Sequence, residues 1–248
     1  MSTGVTKGSA GLTVGAQVVL RPLANPLSLG FLALGTATLL LTGVQLEWVP
    51  ATDAATVAVM LIVFVAPLQL LASILGFLAR DPVAGTGMGI LAGTWAAVGV
   101  VTLRSPVGAT SDALGLLLLA AGVAMLVPAL GAVDAKVVPA LVLGTTALRF
   151  ALTGIYQLGG NAGWKIAAGV TGVALCALAV YAATAFMVEE TRHRTWLPLG
   201  RRSGGRRAIS GDLDRQLENI AEEAGVREQL GSAARIRRGF LVVRAGNK

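Results

Sequence analysis

The chain has 248 residues, of which 54% are hydrophobic and only 13% charged, with a formal net charge of +7. An ordinary soluble domain carries roughly 25% charged residues, so this composition disfavours a soluble globular fold. The chain has one histidine, His193, and one cysteine, Cys176, which together cannot form a usual zinc site or an intrachain disulfide. The sequence also lacks a nucleophile–base set and a phosphate-binding loop, so we expect neither an enzyme nor a cofactor or metal.

The N-terminal residues 1–24 are rich in glycine, serine and threonine. They contain no continuous apolar stretch followed by a small-residue cleavage site, so a cleavable signal peptide is not expected. We predict a disordered cytoplasmic tail.

Residues 25–190 contain six apolar runs. Between Leu27 and Val188 there are ten charged residues, and nine of them fall in short gaps between these runs. A helix needs about 20 residues to cross a bilayer, and each run is long enough. The runs are apolar all round, whereas the helices of a soluble bundle, which is the alternative, carry a polar stripe. The sequence therefore predicts an all-α polytopic membrane protein with six transmembrane helices, at about 27–46, 54–79, 83–103, 113–133, 137–158 and 166–188.

The first span opens with "ANPLSLGFLALG" at residues 24–35. Asn25 is a good N-cap, and Pro26 suits the first helical position because its missing N–H would be unpaired there. The free N–H groups of such a helix start also favour anions.

The middle spans carry packing signals. Gly85, Gly89 and Gly93 form a ridge with a spacing of four in the third span, which predicts close helix–helix contact. Pro67 and Pro128 lie inside the second and fourth spans, where each removes a backbone donor and favours a kink.

Few polar side chains lie at membrane depth: Gln69, Thr145, Thr146 and Arg149, with Asn161 just after the fifth span. A mid-span arginine costs roughly 2.5–3.5 kcal/mol, so Arg149 must face protein or water and find an acceptor. It is either a fixed positive charge beside an anion path or a structural arginine that bonds helix-end carbonyls.

Basic residues in short loops predict the orientation. With both termini in the cytoplasm, that side holds seventeen Lys and Arg residues and the opposite side two, Arg104 and Lys165. We therefore expect cytoplasmic termini in a plasma-membrane protein.

Residues 191–248 form a basic cytoplasmic tail. Arginines just past the last span are placed to contact anionic lipid headgroups, which attract each such cation by about 1 kcal/mol. Lipid contact is therefore a simpler explanation of this charge than nucleic-acid binding. Further on, one face of residues 212–224 is apolar, which predicts a short amphipathic helix. The predicted lipid contacts are Arg201, Arg202, Arg206 and Arg207.

Several motifs together resemble the acetate uptake transporter family, the succinate–acetate permease-like proteins. Asn25, Pro26 and Gly30 match the family's Asn-Pro-x-Pro-Leu-Gly signature, in which Ser28 replaces the second proline. Further matches, in the right order, are Gln69 in "PLQLLASILGF", Trp95 in "GTWAAVGV", Asn161 in "LGGNAGW", and the closing "LPLG" at residues 197–200.

The resemblance implies a six-helix protomer that forms hexamers, with a path for acetate or related carboxylates in each protomer, working as a channel or coupled to protons. Leu34, Leu91 and Thr146 stand where the family narrows its path with a Phe, a Tyr and a Leu. Arg149 replaces an apolar residue, and Asp81 is the nearest equivalent of a missing acidic residue. The implied pathway residues are Asn25, Pro26, Gly30, Leu34, Gln69, Leu91, Thr146, Arg149 and Asn161.

Three functions follow from these observations. The first is transport of a small monocarboxylate, with Arg149 offsetting the cost of moving an anion through a low dielectric. The second keeps the fold but passes a larger or neutral solute, or ammonia. The third is a membrane scaffold or sensor that acts through the tail, which truncation at Gly200 would reveal.

Overall fold

The computed structural model describes residues 23–192 and 196–202, and these are almost entirely helical. A 3₁₀ turn (Ala51–Asp53), two α-helices (Ala54–Met60 and Ala66–Leu78) and the π-helical segment between them (Leu61–Val65) make one span, Ala51–Leu78. Six helical stretches are therefore long and apolar enough to cross a membrane, which confirms the predicted all-α, six-span fold. The helices are α1 (Leu27–Gln45), α2 (Ala54–Met60), α3 (Ala66–Leu78), α4 (Pro82–Arg104), α5 (Asp112–Val133), α6 (Val137–Gly159) and α7 (Ala162–Arg192).

The helix starts follow local capping chemistry. Pro26 has helical dihedral angles (φ −70°, ψ −15°), and the Asn25 side chain accepts a hydrogen bond from the Leu27 N–H at 3.0 Å. Asp81 caps α4 in the same way, accepting from the Ala84 N–H at 3.0 Å. The Asn25 side chain bonds the helix start as predicted, but the helix begins at Leu27, so Pro26 stands at the N-cap and not at the first helical position.

The last span differs most from its prediction. It begins at Ala162, four residues before the expected start, and runs on to Arg192. Lys165 lies in its first turn, where the ammonium bonds Glu47 at 2.9 Å, so this charge does not mark a loop.

The six spans form a closed ring in chain order. Each span packs against its neighbours in sequence, and α1 completes the ring by packing against α7. One end of the ring, here called the terminal face, carries Asn25, Asp81, Lys136 and residues 196–202. The other end, the loop face, carries the connections 46–53, 105–111 and 160–161. Large apolar side chains on the outside, such as Leu116, Val123 and Leu130 of α5, are exposed, as expected of a surface that faces lipid or a neighbouring subunit.

The predicted glycine ridge forms only part of a contact. A Cβ at Gly85 would lie 2.6 Å from the Phe77 ring, and one at Gly89 would lie 3.0 Å from Ser73 Oγ, so both glycines let α4 approach α3. Gly93 has nothing within 4 Å of its would-be Cβ and faces outward. Gly76, which the spacing did not indicate, completes the contact, because its Cβ would lie 2.7 Å from Gly85 N.

The two prolines are accommodated differently. Pro67 is the second residue of α3, one residue after the end of the π-helical segment, where the wider turn relieves the loss of a backbone donor. Pro128 lies inside α5, which stays helical on both sides of it, and its ring is buried.

Candidate substrate pathway

A cavity of about 470 Å³ lies between the helix ends at the loop face. Its walls come from the ends of α1, α4 and α6, the starts of α2 and α5, and the first turn of α7. Most of the lining is apolar. The polar side chains in the walls are Gln45, Glu47, Thr102, Ser105, Ser111, Thr153, Tyr156, Gln157 and Lys165.

The Gln45 amide connects this cavity to Arg149. Gln45 Nε2 donates to Thr153 Oγ1 at 3.3 Å, and its Oε1 accepts from Arg149 Nη2 at 3.1 Å. Thr153 lies one helical turn after Arg149, so the single amide of Gln45 bridges two successive turns of α6. Gln45 and Thr153 line the cavity, whereas Arg149 does not.

Arg149 is a buried cation with neutral neighbours. The residue is 1% exposed, and Nη2 also donates to Thr42 Oγ1 at 3.1 Å. Nε and Nη1 are buried without a hydrogen-bond partner in the part of the chain that the structure describes. No described carboxylate forms an ion pair with the guanidinium. The structure thus leaves several strong donors of a fixed positive charge unused.

Gly172 of α7 makes room for this arginine. A Cβ there would overlap Thr42 Oγ1 and lie 2.8 Å from Arg149 Cζ. The arginine network therefore sits where α1, α6 and α7 meet, and it depends on the close approach of α7.

Closer to the terminal face, the predicted pathway residues form an apolar layer. Leu34, Leu91 and Thr146 lie seven to nine residues from the terminal-face ends of α1, α4 and α6, a depth of about 10–14 Å at 1.5 Å per residue. All three are fully buried, and the Thr146 hydroxyl donates to Val142 O of its own helix at 2.8 Å. The layer therefore presents no free hydroxyl donor from Thr146.

Gln69 reaches the same depth from α3. Its Nε2 donates to Gly30 O of α1 at 3.4 Å, while its Oε1 is buried with no partner among the described residues. Five predicted pathway residues are thus buried inside the ring, in the half nearer the terminal face: Gly30, Leu34, Gln69, Leu91 and Thr146.

Two aromatic rings lie one helical turn beyond this layer, on the side of Arg149. Trp95 and Phe150 pack edge to face, with ring centroids 5.6 Å apart. The sequence indicated Trp95 only through the family resemblance and did not indicate Phe150. The sequence signals that could have indicated Phe150 are its spacing of four residues from Thr146 and its position next to Arg149.

The other predicted pathway residues lie at opposite ends of the bundle. Asn25 is half-buried at the terminal face, with its backbone N–H bonded to the Glu190 carboxylate at 3.0 Å, and Pro26 adjoins it. Asn161 is exposed at the loop face, where its Oδ1 accepts from the Gly163 N–H at 2.7 Å. The structure therefore does not bring Asn25 and Asn161 together with Gln69 around one molecule.

The predicted lipid contacts are described only in part. Arg201 forms an ion pair with Glu189 of α7, and the backbone N–H of Arg202 donates to Ala135 O at 3.1 Å. The Arg202 side chain is exposed. Arg206, Arg207, the helix predicted at 212–224 and most of the N-terminal tail lie outside the described residues.

Comparisons with known proteins support the resemblance seen in the sequence. A profile of the GPR1/FUN34/yaaH family matches residues 9–199. The structure of the bacterial acetate channel SatP is similar, with a TM-score of 0.65 and 26% sequence identity, and the match covers 72% of this chain and 99% of that one. No curated protein matches the sequence. On this evidence the chain belongs to the GPR1/FUN34/yaaH family.

Proposed function

We propose that this protein carries acetate or a related small monocarboxylate across the membrane, along a path inside the six-helix ring. The path leads from the loop-face cavity past Arg149 and through the apolar layer of Leu34 and Leu91. The observation that supports this most strongly is the buried, unpaired charge of Arg149 beneath an open cavity. The family and the likeness to an acetate channel agree with it.

An anion is the solute that this arrangement favours. Burying a cation without a counter-charge is costly, and the neutral partners Thr42 and Gln45 satisfy only one of the three guanidinium nitrogens. A carboxylate bonded to the guanidinium forms charge-assisted hydrogen bonds and gains attraction in a low dielectric. A neutral solute gains no such compensation.

The apolar layer then limits what continues along the path. Leu34 and Leu91 offer a small monocarboxylate contact for its alkyl end, and Gln69 Oε1 is an acceptor for a water or a protonated carboxyl group. Larger or more polar solutes lose their hydration here without replacement.

We further propose channel-type conduction in the cell membrane, with both chain ends in the cytoplasm and hexameric assembly as the family resemblance implies. Proton coupling normally uses a titratable carboxylate or histidine within the path. None lies within the middle of the described spans, and Asp81 caps α4 at the terminal face. The excess of Lys and Arg in the terminal-face segments supports the orientation.

The test is uptake of labelled acetate into vesicles that contain the purified protein, with and without a pH gradient. We expect uptake that equilibrates without a gradient, and at least a tenfold loss in Arg149→Leu, since a buried charge-assisted contact is worth roughly 1.5–3 kcal/mol. Arg104→Leu removes an exposed arginine that does not line the cavity, and it serves as the matched control.

Other outcomes separate the alternatives. Uptake that requires the gradient would contradict the channel mode. Full uptake by a folded Arg149→Leu protein would contradict the role of the arginine. Preferential uptake of a neutral solute would favour the second function, in which the same fold passes a different solute. Absence of uptake, together with loss of a bound partner when the chain is truncated after Arg202, would favour the scaffold or sensor.

A further inference from the structure

Gln45 is the residue that separates the cavity from the buried cation. It is the last residue of α1 and is 5% exposed, and it lines the cavity floor. Arg149 lies behind it at 1% exposure and does not reach the cavity. An anion in the cavity therefore meets the Gln45 amide before it meets the guanidinium.

Both ends of the Gln45 amide are engaged. Its Oε1 accepts from Arg149 Nη2 at 3.1 Å, and its Nε2 donates to Thr153 Oγ1 at 3.3 Å. The carbonyl oxygen of an amide carries no net charge, so it satisfies one guanidinium nitrogen and leaves the positive charge unbalanced. A carboxylate oxygen forms a shorter and stronger bond with the same nitrogen.

The surroundings allow the side chain to move while its backbone stays in place. The backbone after α1 is held by hydrogen bonds from Leu46 N to Thr42 O at 2.8 Å and from Val49 N to Gly43 O at 3.0 Å. On the cavity side, Gln45 lines a space of about 470 Å³. A change of side-chain rotamer therefore moves the amide off Arg149 without unwinding α1.

We infer that Gln45 is the selectivity residue of this pathway, a neutral stand-in for the anion that an entering carboxylate displaces from Arg149 Nη2. The inference rests on the proposed function and adds to it the residue that decides which solutes reach the arginine. A carboxylate replaces the amide because it makes the stronger bond and balances the charge. A neutral solute of the same size makes a bond no better than the one that it must break, so Gln45 stays in place and the path stays closed.

Substitutions of Gln45 distinguish this role from a structural one. Gln45→Glu places a carboxylate where the amide stands and forms an internal ion pair with Arg149. We expect at least a tenfold loss of acetate uptake together with an unchanged or higher Tm of the purified protein. Gln45→Ala removes the stand-in. We expect it to raise uptake of acetamide, a neutral solute of similar shape, at least threefold relative to acetate.

A matched control tests whether any added negative charge in the cavity has this effect. Gln157 also lines the cavity, but its Oε1 accepts from the Ser111 N–H at 2.9 Å instead of from Arg149. We expect Gln157→Glu to lower acetate uptake no more than threefold.

Opposite results overturn the inference. A purely structural Gln45 predicts that the glutamate variant keeps uptake and that the alanine variant discriminates against acetamide as strongly as the unmodified protein does. Equal losses in Gln45→Glu and Gln157→Glu would likewise contradict it. These outcomes leave acetate uptake by the unmodified protein intact, whereas absence of that uptake would overturn the proposed function itself.

Discussion

The two halves of the helix ring differ in what they bury. The half near the loop face buries a hydrogen-bonded network of Thr42, Gln45, Arg149 and Thr153 beneath a cavity. The half near the terminal face is packed mainly with apolar side chains such as Phe31, Leu34, Met88 and Leu91, which are fully buried. In the proposed pathway, charge recognition and steric exclusion are thus separated along the axis of the ring.

This separation has a physical reason. A guanidinium in the apolar layer would lie away from the cavity with only the Gln69 amide as a free polar group among the described residues at that depth, and its desolvation would be costly. Beneath the cavity the same charge has Gln45 and Thr42 as neighbours and lies one amide away from open space. In the proposed pathway an anion gains compensation first and loses its remaining hydration afterwards.

The largest effect is expected from closing the space that holds the arginine. In Gly172→Ala the new methyl group meets Thr42 Oγ1 and the guanidinium, so overpacking lowers the free energy of unfolding by about 1–3 kcal/mol. Displacement of Arg149 should lower acetate uptake by about a hundredfold, the effect of roughly 1 Å of misplacement at a precise site. Gly144→Ala on α6, where the would-be Cβ has nothing within 4 Å, is the control. Equal uptake by both variants would show that the arginine's position is unimportant.

Widening the apolar layer should change the size of the solute. Leu91→Ala removes a fully buried side chain, at a cost of about 2–5 kcal/mol in the free energy of unfolding. Uptake of propionate relative to acetate should rise by about tenfold, the low end of what a hydrophobic site assigns to one methylene. Leu116→Ala, on the outward face of α5 at 67% exposure, should leave the ratio unchanged. An unchanged ratio in Leu91→Ala would exclude this layer as the size filter.

A smaller effect is expected from the polar group within the apolar layer. Gln69→Leu removes the buried Oε1 that has no described partner, and acetate uptake should fall about threefold to tenfold, which is the value of one hydrogen bond. Ser73→Ala on the same helix removes a 2.7 Å hydrogen bond to Gly85 O and should affect the free energy of unfolding but not uptake. If both variants lose uptake in parallel with stability, Gln69 has only a structural role.

The smallest effect is expected at the mouth of the cavity. Lys165 lines the cavity and pairs with Glu47, whose side chain is 80% exposed. Such a pair contributes about 0–1 kcal/mol to stability, but its cation attracts anions at low ionic strength. Lys165→Gln should lower the initial uptake rate about twofold at 10 mM salt and have no effect at 1 M, where the Debye length is about 3 Å. A loss that persists at high salt would place Lys165 in direct contact with the solute.

Most of the fold could be predicted from the sequence because bilayer thickness fixes the length of an apolar span. Arg149 was visible as a charge within such a span. Its partners were not, because Gln45 stands at the end of an apolar run and lies 104 residues before the arginine. Only ring closure, which brings α1 beside α6 and α7, reveals the contact.

Other residues show where local patterns fail. Asn161 has the composition of a pathway amide, but its side chain caps the start of α7. Arg201, which was predicted to contact lipid, pairs its side chain with Glu189 of α7. In both cases the polar group engages a partner nearby in the chain, and the sequence alone gives no distance to that partner.

The most direct test of the central claim is the position of a bound anion. A crystal structure of the protein with methylselenoacetate, a monocarboxylate that does not alkylate thiols, would locate the selenium by anomalous scattering. We predict a peak beside Arg149, with the carboxylate bonded to the guanidinium and the Gln45 amide turned into the cavity, and no peak there in Arg149→Leu. A methylselenoacetate site that avoids Arg149, or one that persists in Arg149→Leu, would contradict the assignment of this arginine as the anion site.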